Sequence, residues 1–273
     1  MTTPASPATP APSRRAHAGF GSGRLVFWNG GALWLGAATG QAQRHAHHAI
    51  QLTLSLDAPF RIQGIEGDWI SSHGVLVLPH APHRFDGAGR VVAIVFIEPE
   101  TPAGRALLGR NAEATGLVPL ERTVAISLAG PLRLAFEAGL DGQPLGSVAR
   151  ETIAALSAPL PPAAAVDPRI ATAIDWIRAH LAVPVALADV AAVVHLSPGR
   201  FRHLFVQQTG TTLRAYLLWA RVGAAVAAGM AGRPWSDAAQ DAGFADAAHL
   251  GRTCRRMIGL APGMLTTGSA ART

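Results

Sequence analysis

The stretch DAAQDAGFADAAHLGRTCRRMIGLAPG, residues 237–263, predicts a helix, a glycine turn and a second helix. Asp246 is a natural N-cap for the second helix, because its carboxylate can accept hydrogen bonds from the free amides of the first helical turn. Behind this cap, Leu250, Cys254 and Met257 recur at helical spacing and predict a buried stripe. The opposite face is predicted to carry Ala247, Ala248, His249, Arg252 and Arg256. The pattern is that of a helix-turn-helix unit.

The same pattern occurs a second time upstream. The stretch LADVAAVVHLSPGRFRHLFVQQTG, residues 187–210, aligns with residues 236–259, and a one-residue step falls in the predicted turn. Ser197 takes the place of the cap, and an apolar stripe follows it. The exposed face is predicted to carry Arg200, Arg202, His203 and Gln207. A long apolar helix, roughly residues 214–230, joins the two copies.

The charge distribution favours double-stranded DNA as the partner of this half. Residues 167–273 hold 11 arginines and six aspartates, so they carry +5 of the formal charge of +6. An arginine can bond bidentately to guanine in the major groove, which is wide enough for a helix. The solvated face of an ordinary helical bundle would also be basic, but two capped copies in one basic half favour helix-turn-helix units.

Residues 187–265 resemble the DNA-binding domain of the AraC/XylS family of bacterial transcription regulators. The resemblance rests on the two stretches quoted and on the joining stretch YLLWARVGAAV. It implies that base edges are met by Gly199, Arg202, His203, Ala247, Ala248, His249 and Arg252. We expect Arg255 and Arg256 to contact phosphates, which position the helix without reading sequence. Three residues depart from the family pattern: His195 replaces a turn glycine, Cys254 replaces a phenylalanine, and Gly199 is a weak helix start.

The N-terminal half alternates with a period of two residues. The stretch AIQLTLSLD places leucines and Ile50 on one face and polar residues on the other, which predicts a strand. Further short apolar runs, separated by turn signals at Asn29, Asp57 and Asp86, predict an antiparallel sandwich or barrel. Helical candidates follow, PAGRALLGR and GSVARETIAAL. The predicted fold class is therefore α+β, with an all-α domain of two helix-turn-helix units after the strands. The resemblance to AraC/XylS regulators, which often carry an N-terminal cupin-like barrel, implies that the first domain is such a barrel.

The proline-rich stretch at residues 158–168 is the predicted linker. We expect a disordered tail at residues 1–19, a cupin-like sensor barrel at 20–100, and a helical region at 101–157 that could mediate dimerisation. The DNA-binding domain is expected at residues 169–266.

Three histidines in RHAHHAIQL, residues 44–52, raise the question of a metal. If this stretch is one strand, His45, His47 and Gln51 lie an even number of residues apart, so their side chains project from the same face and could converge. The resemblance to regulators with an N-terminal cupin-like barrel implies that His45, His47, Gln51 and His83 converge, because metal cupins use His-x-His, an acid and a later histidine. Here Gln51 takes the place of the acid, and a neutral amide does not compensate the charge of a cation. We expect an effector pocket without metal or other cofactor. His48 is expected to point the other way, as a structural or exposed residue.

The composition excludes several classes of protein. No apolar run approaches the length of a membrane span, and a single cysteine excludes a disulfide framework and a cysteine-based zinc site. We expect a cytoplasmic, non-enzymatic regulator that forms a homodimer. Its expected partners are DNA and a small effector, and it would also bind RNA polymerase if it is an activator. Two alternatives stay open: a metal-dependent cupin oxygenase or isomerase with a helical appendage, and an architectural DNA-binding protein without an effector.

Overall fold

The computed structural model describes residues 19–267, so all but the last residue of the predicted tail at 1–19 lies outside the described residues. The strands are β1 (Gly21–Trp28), β2 (Gly31–Ala38), β3 (Gln41–His45), β4 (Ile50–Ser55), β5 (Phe60–Gln63), β6 (Ile70–Ser72), β7 (Gly74–Val77), β8 (His83–Asp86), β9 (Arg90–Ile97), β10 (Leu117–Pro119) and β11 (Leu265–Thr267). The helices are α1 (Pro102–Arg110), α2 (Arg122–Glu137), α3 (Gly142–Ser157), α4 (Pro168–Ala179), α5 (Leu187–Val193), α6 (Pro198–Thr209), α7 (Leu213–Met230), α8 (Trp235–Asp241) and α9 (Ala247–Ile258).

The strands form two sheets. The larger has the order β10-β7-β4-β9-β2-β1-β11, and the smaller has the order β3-β8-β5-β6. All neighbours pair antiparallel except β11, which runs parallel to β1. Sheets in the first half and helices in the second confirm the predicted α+β class.

The larger sheet buries both of its faces. One face packs on the smaller sheet through a shared core that includes Trp34, Phe60 and Phe85. The other face is covered by α2 and α3, so Leu52 and Leu54 pack in a second core with residues of these helices. Every residue of β4 is buried, its polar ones included. The alternation of apolar and polar residues in β4 therefore does not distinguish a buried face from an exposed one. Both faces of the strand are buried, each in a different core.

The stretch RHAHHAIQL is not one continuous strand, which corrects the parity argument for its histidines. Strand β3 ends at His45 in the smaller sheet, and β4 begins at Ile50 in the larger one. Residues 46–49 cross between the sheets. The side chains of this stretch are brought together by the crossover rather than by the two-residue repeat of a single strand.

Helices α1 and α3 coincide with the two predicted candidates, and α2 lies within the predicted helical region at 101–157, although no candidate stretch was identified for it. Pro131 lies inside α2, and Ile126 and Leu134 on its surface are 48% and 64% exposed. These residues blur the helical periodicity on which the prediction depends. Helix α2 forms because Leu128 and Leu132 pack on the sheet.

Helices α4 to α9 build two small cores that share α7. The first contains Phe201, Phe205 and Tyr216. The second contains Val222 and Leu250, together with Cys254, which takes an ordinary place in the apolar interior. Because α7 contributes to both cores, the two helix-turn-helix units are held in a fixed relation to each other.

The two halves of the chain also pack on each other. Strand β11 extends the larger sheet, and the end of α9 bonds to β3, where the amide of Gln43 donates to the carbonyl of Gly259 (3.0 Å). Residues 161–167 form neither helix nor strand. The boundary at 158–168 stays a prediction.

Candidate nucleic-acid interface and ligand pocket

The second helices of the two units, α6 and α9, have matching ends. The Ser197 hydroxyl accepts from the amide of Arg200 (3.4 Å), and the Asp246 carboxylate accepts from the amide of His249 (2.6 Å). Both helices stop at a left-handed glycine, Gly210 and Gly259. The two predicted caps therefore start both helices as expected.

Nearly all of the predicted DNA-contacting side chains are exposed in the structure. Those on α6 are Gly199, Arg200, Arg202, His203 and Gln207, and those on α9 are Ala247, Ala248, Arg252, Arg255 and Arg256. His249 is half-buried, and its ring packs edge-on against Phe244 with centroids 5.2 Å apart. The exposed set is free to meet a partner, whereas the ring of His249 is held by its own unit.

A groove runs between the two units. It has a volume of about 750 Å³ and is lined by Arg202 of α6, Arg214 and Arg221 of α7, and His249 and Arg256 of α9. Arg221 has a structural role, since its guanidinium donates to backbone carbonyls at 2.9 and 2.8 Å. The other arginines that line it, Arg202, Arg214 and Arg256, lie on α6, α7 and α9, so both units contribute positive charge to the groove.

The turns of the two units differ at one position. Gly243 adopts a left-handed φ of 79° between α8 and α9, and His195 adopts a left-handed φ of 54° between α5 and α6. A side chain in this region is strained by about 1–2 kcal/mol relative to glycine. The departure at His195 is therefore a local strain in a correctly formed turn.

The crossover brings His45, His47 and His83 together, as expected. One ring nitrogen from each lies within 4.8 Å of the others, and all three side chains are buried. Each Nδ1 lies near a backbone carbonyl, at 2.7 Å for His45, 2.8 Å for His47 and 3.0 Å for His83. When Nδ1 donates to these carbonyls, Nε2 of each neutral ring carries a lone pair, and Nε2 of His47 faces the side chain of Gln51.

Burial keeps these three rings neutral. It lowers the pKa of His45 to about 4 and that of His47 to about 3, and it lowers the pKa of His83 well below its ordinary value. Nε2 of His83 has no hydrogen-bond partner among the described residues. Neutral imidazoles can bind a cation, but this set has no carboxylate, because Gln51 instead lies 3.0 Å from Nε2 of His47. The geometry suits a cation, but the donor set supplies no negative charge to balance it.

A second cluster, His48 with Glu98 and Glu100, was missed from the sequence. His48 points away from the first cluster, as expected, but it is only 2% exposed, which rules out an exposed position. Its Nε2 lies 3.7 Å from Oε2 of Glu98 and 3.4 Å from Oε2 of Glu100. The Glu-x-Glu pair directly after the apolar run of β9 was the available signal.

The two carboxylates are bonded to helix α7. The Trp219 indole donates to Oε1 of Glu98 (2.9 Å), and the Tyr216 hydroxyl donates to Oε1 of Glu100 (3.1 Å). Burial and the neighbouring Glu100 raise the pKa of Glu98. Burial also acts to raise the pKa of Glu100, but the interaction with the nearby His48 outweighs it and holds that pKa below its ordinary value.

An apolar cavity of about 100 Å³ lies between the barrel and the helical half. Its barrel wall includes Trp34, Phe85 and Ile94, and its helical wall includes Trp219, Val222, Val226 and Ile258. His45 and Gln51 supply its polar side chains. Helices α7 and α9 therefore form one wall of this cavity.

A comparison with protein families identifies the helical half. Residues 190–267 match a family described as "Helix-turn-helix domain". This part of the chain is an AraC-type helix-turn-helix domain. It is a DNA-binding module of transcription regulators, and it covers both units and the joining helix α7. Within the described residues, 19–267, no helix is long and apolar enough to cross a membrane.

Solved structures share the fold of nearly the whole chain. An apo form of ToxT from Vibrio cholerae is 11% identical, with 86% of this chain and 97% of that chain covered and a TM-score of 0.58. ToxT from the same organism bound to an unsaturated fatty acid is 12% identical, with coverage of 88% and 96% and a TM-score of 0.50. A transcriptional regulator with an AraC-type domain from Chromobacterium violaceum is 24% identical, with coverage of 35% and 87% and a TM-score of 0.34. No curated protein matches the chain significantly.

Proposed function

We propose that this protein is a one-component, sequence-specific transcription regulator whose barrel binds a small apolar effector. The observation that carries the proposal is the cavity shared by the barrel and by helices α7 and α9 of the helix-turn-helix domain. A molecule in this cavity touches both halves, so its affinity depends on how they pack. Such a difference in affinity between two states is what lets an effector change regulation.

The DNA-binding surface consists of the exposed faces of α6 and α9. Arg202, His203 and Arg252 reach base edges, while Gly199, Ala247 and Ala248 allow close approach. Arg255 and Arg256, at the end of α9, contact phosphates, and Arg200 and Gln207 extend the surface on α6. His249 contributes at the base of the groove. The exposed position of ten of these side chains and the positive charge of this half support the assignment.

The effector is a small apolar molecule with one hydrogen-bonding group. Aromatic and aliphatic side chains line the cavity, and His45 and Gln51 offer polar atoms to a single group of the ligand. The fatty-acid complex of ToxT supports this ligand class, because that protein shares the fold.

The protein acts as a homodimer, and an activating form would also contact RNA polymerase. The exposed apolar side chains of Ile126 and Leu134 support a dimer interface on α2. Sedimentation of the purified protein tests this, and Leu134→Glu should shift the population to monomer.

Footprinting on DNA upstream of its own gene tests the regulator assignment. We expect one or more protected segments, with an affinity that falls steeply as salt increases. Equal affinity for operator and random DNA would favour the alternative of an architectural DNA-binding protein. A protein without affinity for DNA would refute the proposal.

A cavity-filling variant tests the effector site. Gly223 lines the cavity, and a Cβ there would meet only Cε1 of Phe27, at a comfortable 3.7 Å. Gly223→Leu should therefore abolish stabilisation by apolar carboxylic acids in a thermal-shift screen and still bind the operator. Gly109→Leu is the matched control, since Gly109 lies on a helix with open space around it. Equal ligand responses in both variants would place the effector elsewhere.

A metal-dependent cupin enzyme is the second candidate, and the converging rings of His45, His47 and His83 favour it. Metal analysis of wild type and His47→Ala separates the two functions. The regulator proposal expects operator binding that does not depend on metal at these rings. One equivalent of metal, lost in His47→Ala together with regulation, would overturn that expectation.

A further inference from the structure

We propose that His48, Glu98 and Glu100 form a binding site for a divalent first-row transition ion where the barrel contacts helix α7. The site is separate from the three-histidine cluster and from the DNA-binding surface. It goes beyond the regulator function and does not depend on it.

The three side chains converge in the protein interior, but they form no hydrogen bonds with each other. One ligand atom from each lies within 4.8 Å of the other two. Both ring nitrogens of His48, Oε2 of Glu98 and Oε2 of Glu100 are buried and lack a hydrogen-bond partner among the described residues. Buried polar atoms are rarely left unpaired in folded proteins, so this group calls for a ligand.

The distances fit a metal ion better than a proton. A charge-assisted N–H···O bond is about 2.7–2.9 Å long, but Nε2 of His48 lies 3.4 and 3.7 Å from the two Oε2 atoms. Two ligands that each lie about 2.0–2.2 Å from a tetrahedral zinc ion are about 3.3–3.6 Å apart. The two distances from His48 lie at or close to this range, and all three ligand atoms lie within 4.8 Å of one another.

Helix α7 holds the carboxylates in the orientation that a metal requires. Trp219 and Tyr216 each donate to an Oε1 atom, so that each Oε2 is aimed at His48. Such outer hydrogen bonds orient the ligands of protein metal sites and strengthen binding.

The charge of the donor set is also suitable. Glu98 and Glu100 together supply the two negative charges that balance a divalent ion, which the three-histidine cluster lacks. Arg178 on α4 adds a positive charge near the two carboxylates. Its Nη1 donates to Asn29, so both Oε2 atoms are left without a hydrogen-bond partner and stay open to an ion. One imidazole with two carboxylates suits zinc, manganese or iron(II) rather than copper(I).

The ion would tie the barrel to α7. Glu98 and Glu100 follow β9 in the barrel half, whereas their hydrogen-bond donors stand on the helix that joins the two helix-turn-helix units. Binding of the ion therefore stabilises the packed arrangement of the two halves.

Zinc binding by the full-length protein tests the site. Chelator-treated wild type, Glu98→Gln/Glu100→Gln and His47→Gln/His83→Gln are titrated with ZnCl2 by calorimetry, and retained zinc is measured after gel filtration. The glutamine pair on the second cluster should weaken binding by about 100-fold or more. The matched pair on the three-histidine cluster should keep one equivalent and its zinc-dependent rise in Tm.

If the variants do not fold, X-ray absorption spectroscopy of zinc-loaded wild type at the zinc edge identifies which cluster holds the ion. A shell of one imidazole with oxygen ligands supports the site, while a shell of three imidazoles overturns it. Wild type that retains no zinc, or a folded glutamate variant that binds zinc as tightly as wild type, also overturns it. DNA affinity is measured separately, so failure of the metal site leaves the regulator proposal standing.

Discussion

Gly259, the last residue that caps helix α9, lies directly against His45 of strand β3. A Cβ at Gly259 would lie 2.6 Å from Nδ1 of His45 and 2.5 Å from the carbonyl oxygen of Gln43. Helix α9 therefore ends on the wall of the histidine cluster. A displacement of His45 would therefore act directly on the C-terminal end of α9 through this contact.

Gly259→Ala should destabilise the protein more than the matched change at the end of α6. Both Gly259 and Gly210 have a left-handed φ, but Gly210 has open space around it. Gly210→Ala should reduce the free energy of unfolding by about 1 kcal/mol, and Gly259→Ala by about 2–4 kcal/mol because backbone must also shift. Urea denaturation measures both. Equal losses would mean that α9 does not rest on β3.

Arg252→Ala should weaken operator binding by about 1–3 kcal/mol and relax the preference at one base position. Arg252 is exposed on α9, opposite the buried Leu250 and Cys254. Arg255→Ala is the comparison, because a phosphate contact should weaken all DNA sequences alike and reduce the salt slope. Binding titrations on operator and random DNA at several salt concentrations make the distinction. A uniform loss in Arg252→Ala would mean that this residue touches phosphate.

His195→Gly should stabilise the protein. His195 is exposed and has a φ of 54°, so glycine removes strain and gives up few contacts. The greater freedom of glycine in the unfolded chain offsets part of the gain, which leaves about 0.5–1 kcal/mol. A thermal melt should show a higher Tm for the variant. A lower Tm would show that the imidazole makes a stabilising contact.

Stability should fall between pH 6.5 and pH 4 in chelator-treated protein. His45 and His47 have folded-state pKa values of about 4 and 3, below the ordinary 6.5. As the pH falls below 6.5, the unfolded chain takes up protons that the folded chain does not, so the free energy of unfolding decreases. The slope is about 1.4 kcal/mol per pH unit for each histidine. Urea denaturation at pH 7, 6 and 5 measures it.

The variant His47→Gln should show a shallower pH dependence than wild type over the same range, because one of the titrating rings is removed. Identical slopes in the two proteins would mean that the ring of His47 is not held neutral by burial.

The candidate sites differ in how far the sequence predicted them. The helix-turn-helix faces could be predicted because helical periodicity and local caps such as Ser197 and Asp246 act within a few residues. The convergence of His45, His47 and His83 followed from the resemblance to cupins, although the strand parity used to support it was wrong. The cluster of His48 with Glu98 and Glu100 was not predicted: the Glu-x-Glu pair is visible in the sequence, but its meeting with His48 depends on the pairing of strands about fifty positions apart.

The amino-acid sequence alone determined the two periodicities, the α+β class, both helix-turn-helix units and their exposed basic faces. These features depend on local backbone preferences and on the side on which apolar residues fall. Only the tertiary structure decided that α7 and α9 close the cavity, that Gly259 rests on His45, and that Trp219 and Tyr216 hold Glu98 and Glu100. Such contacts depend on how two separately encoded surfaces dock, and a one-dimensional pattern carries no signal for the relative placement of distant segments.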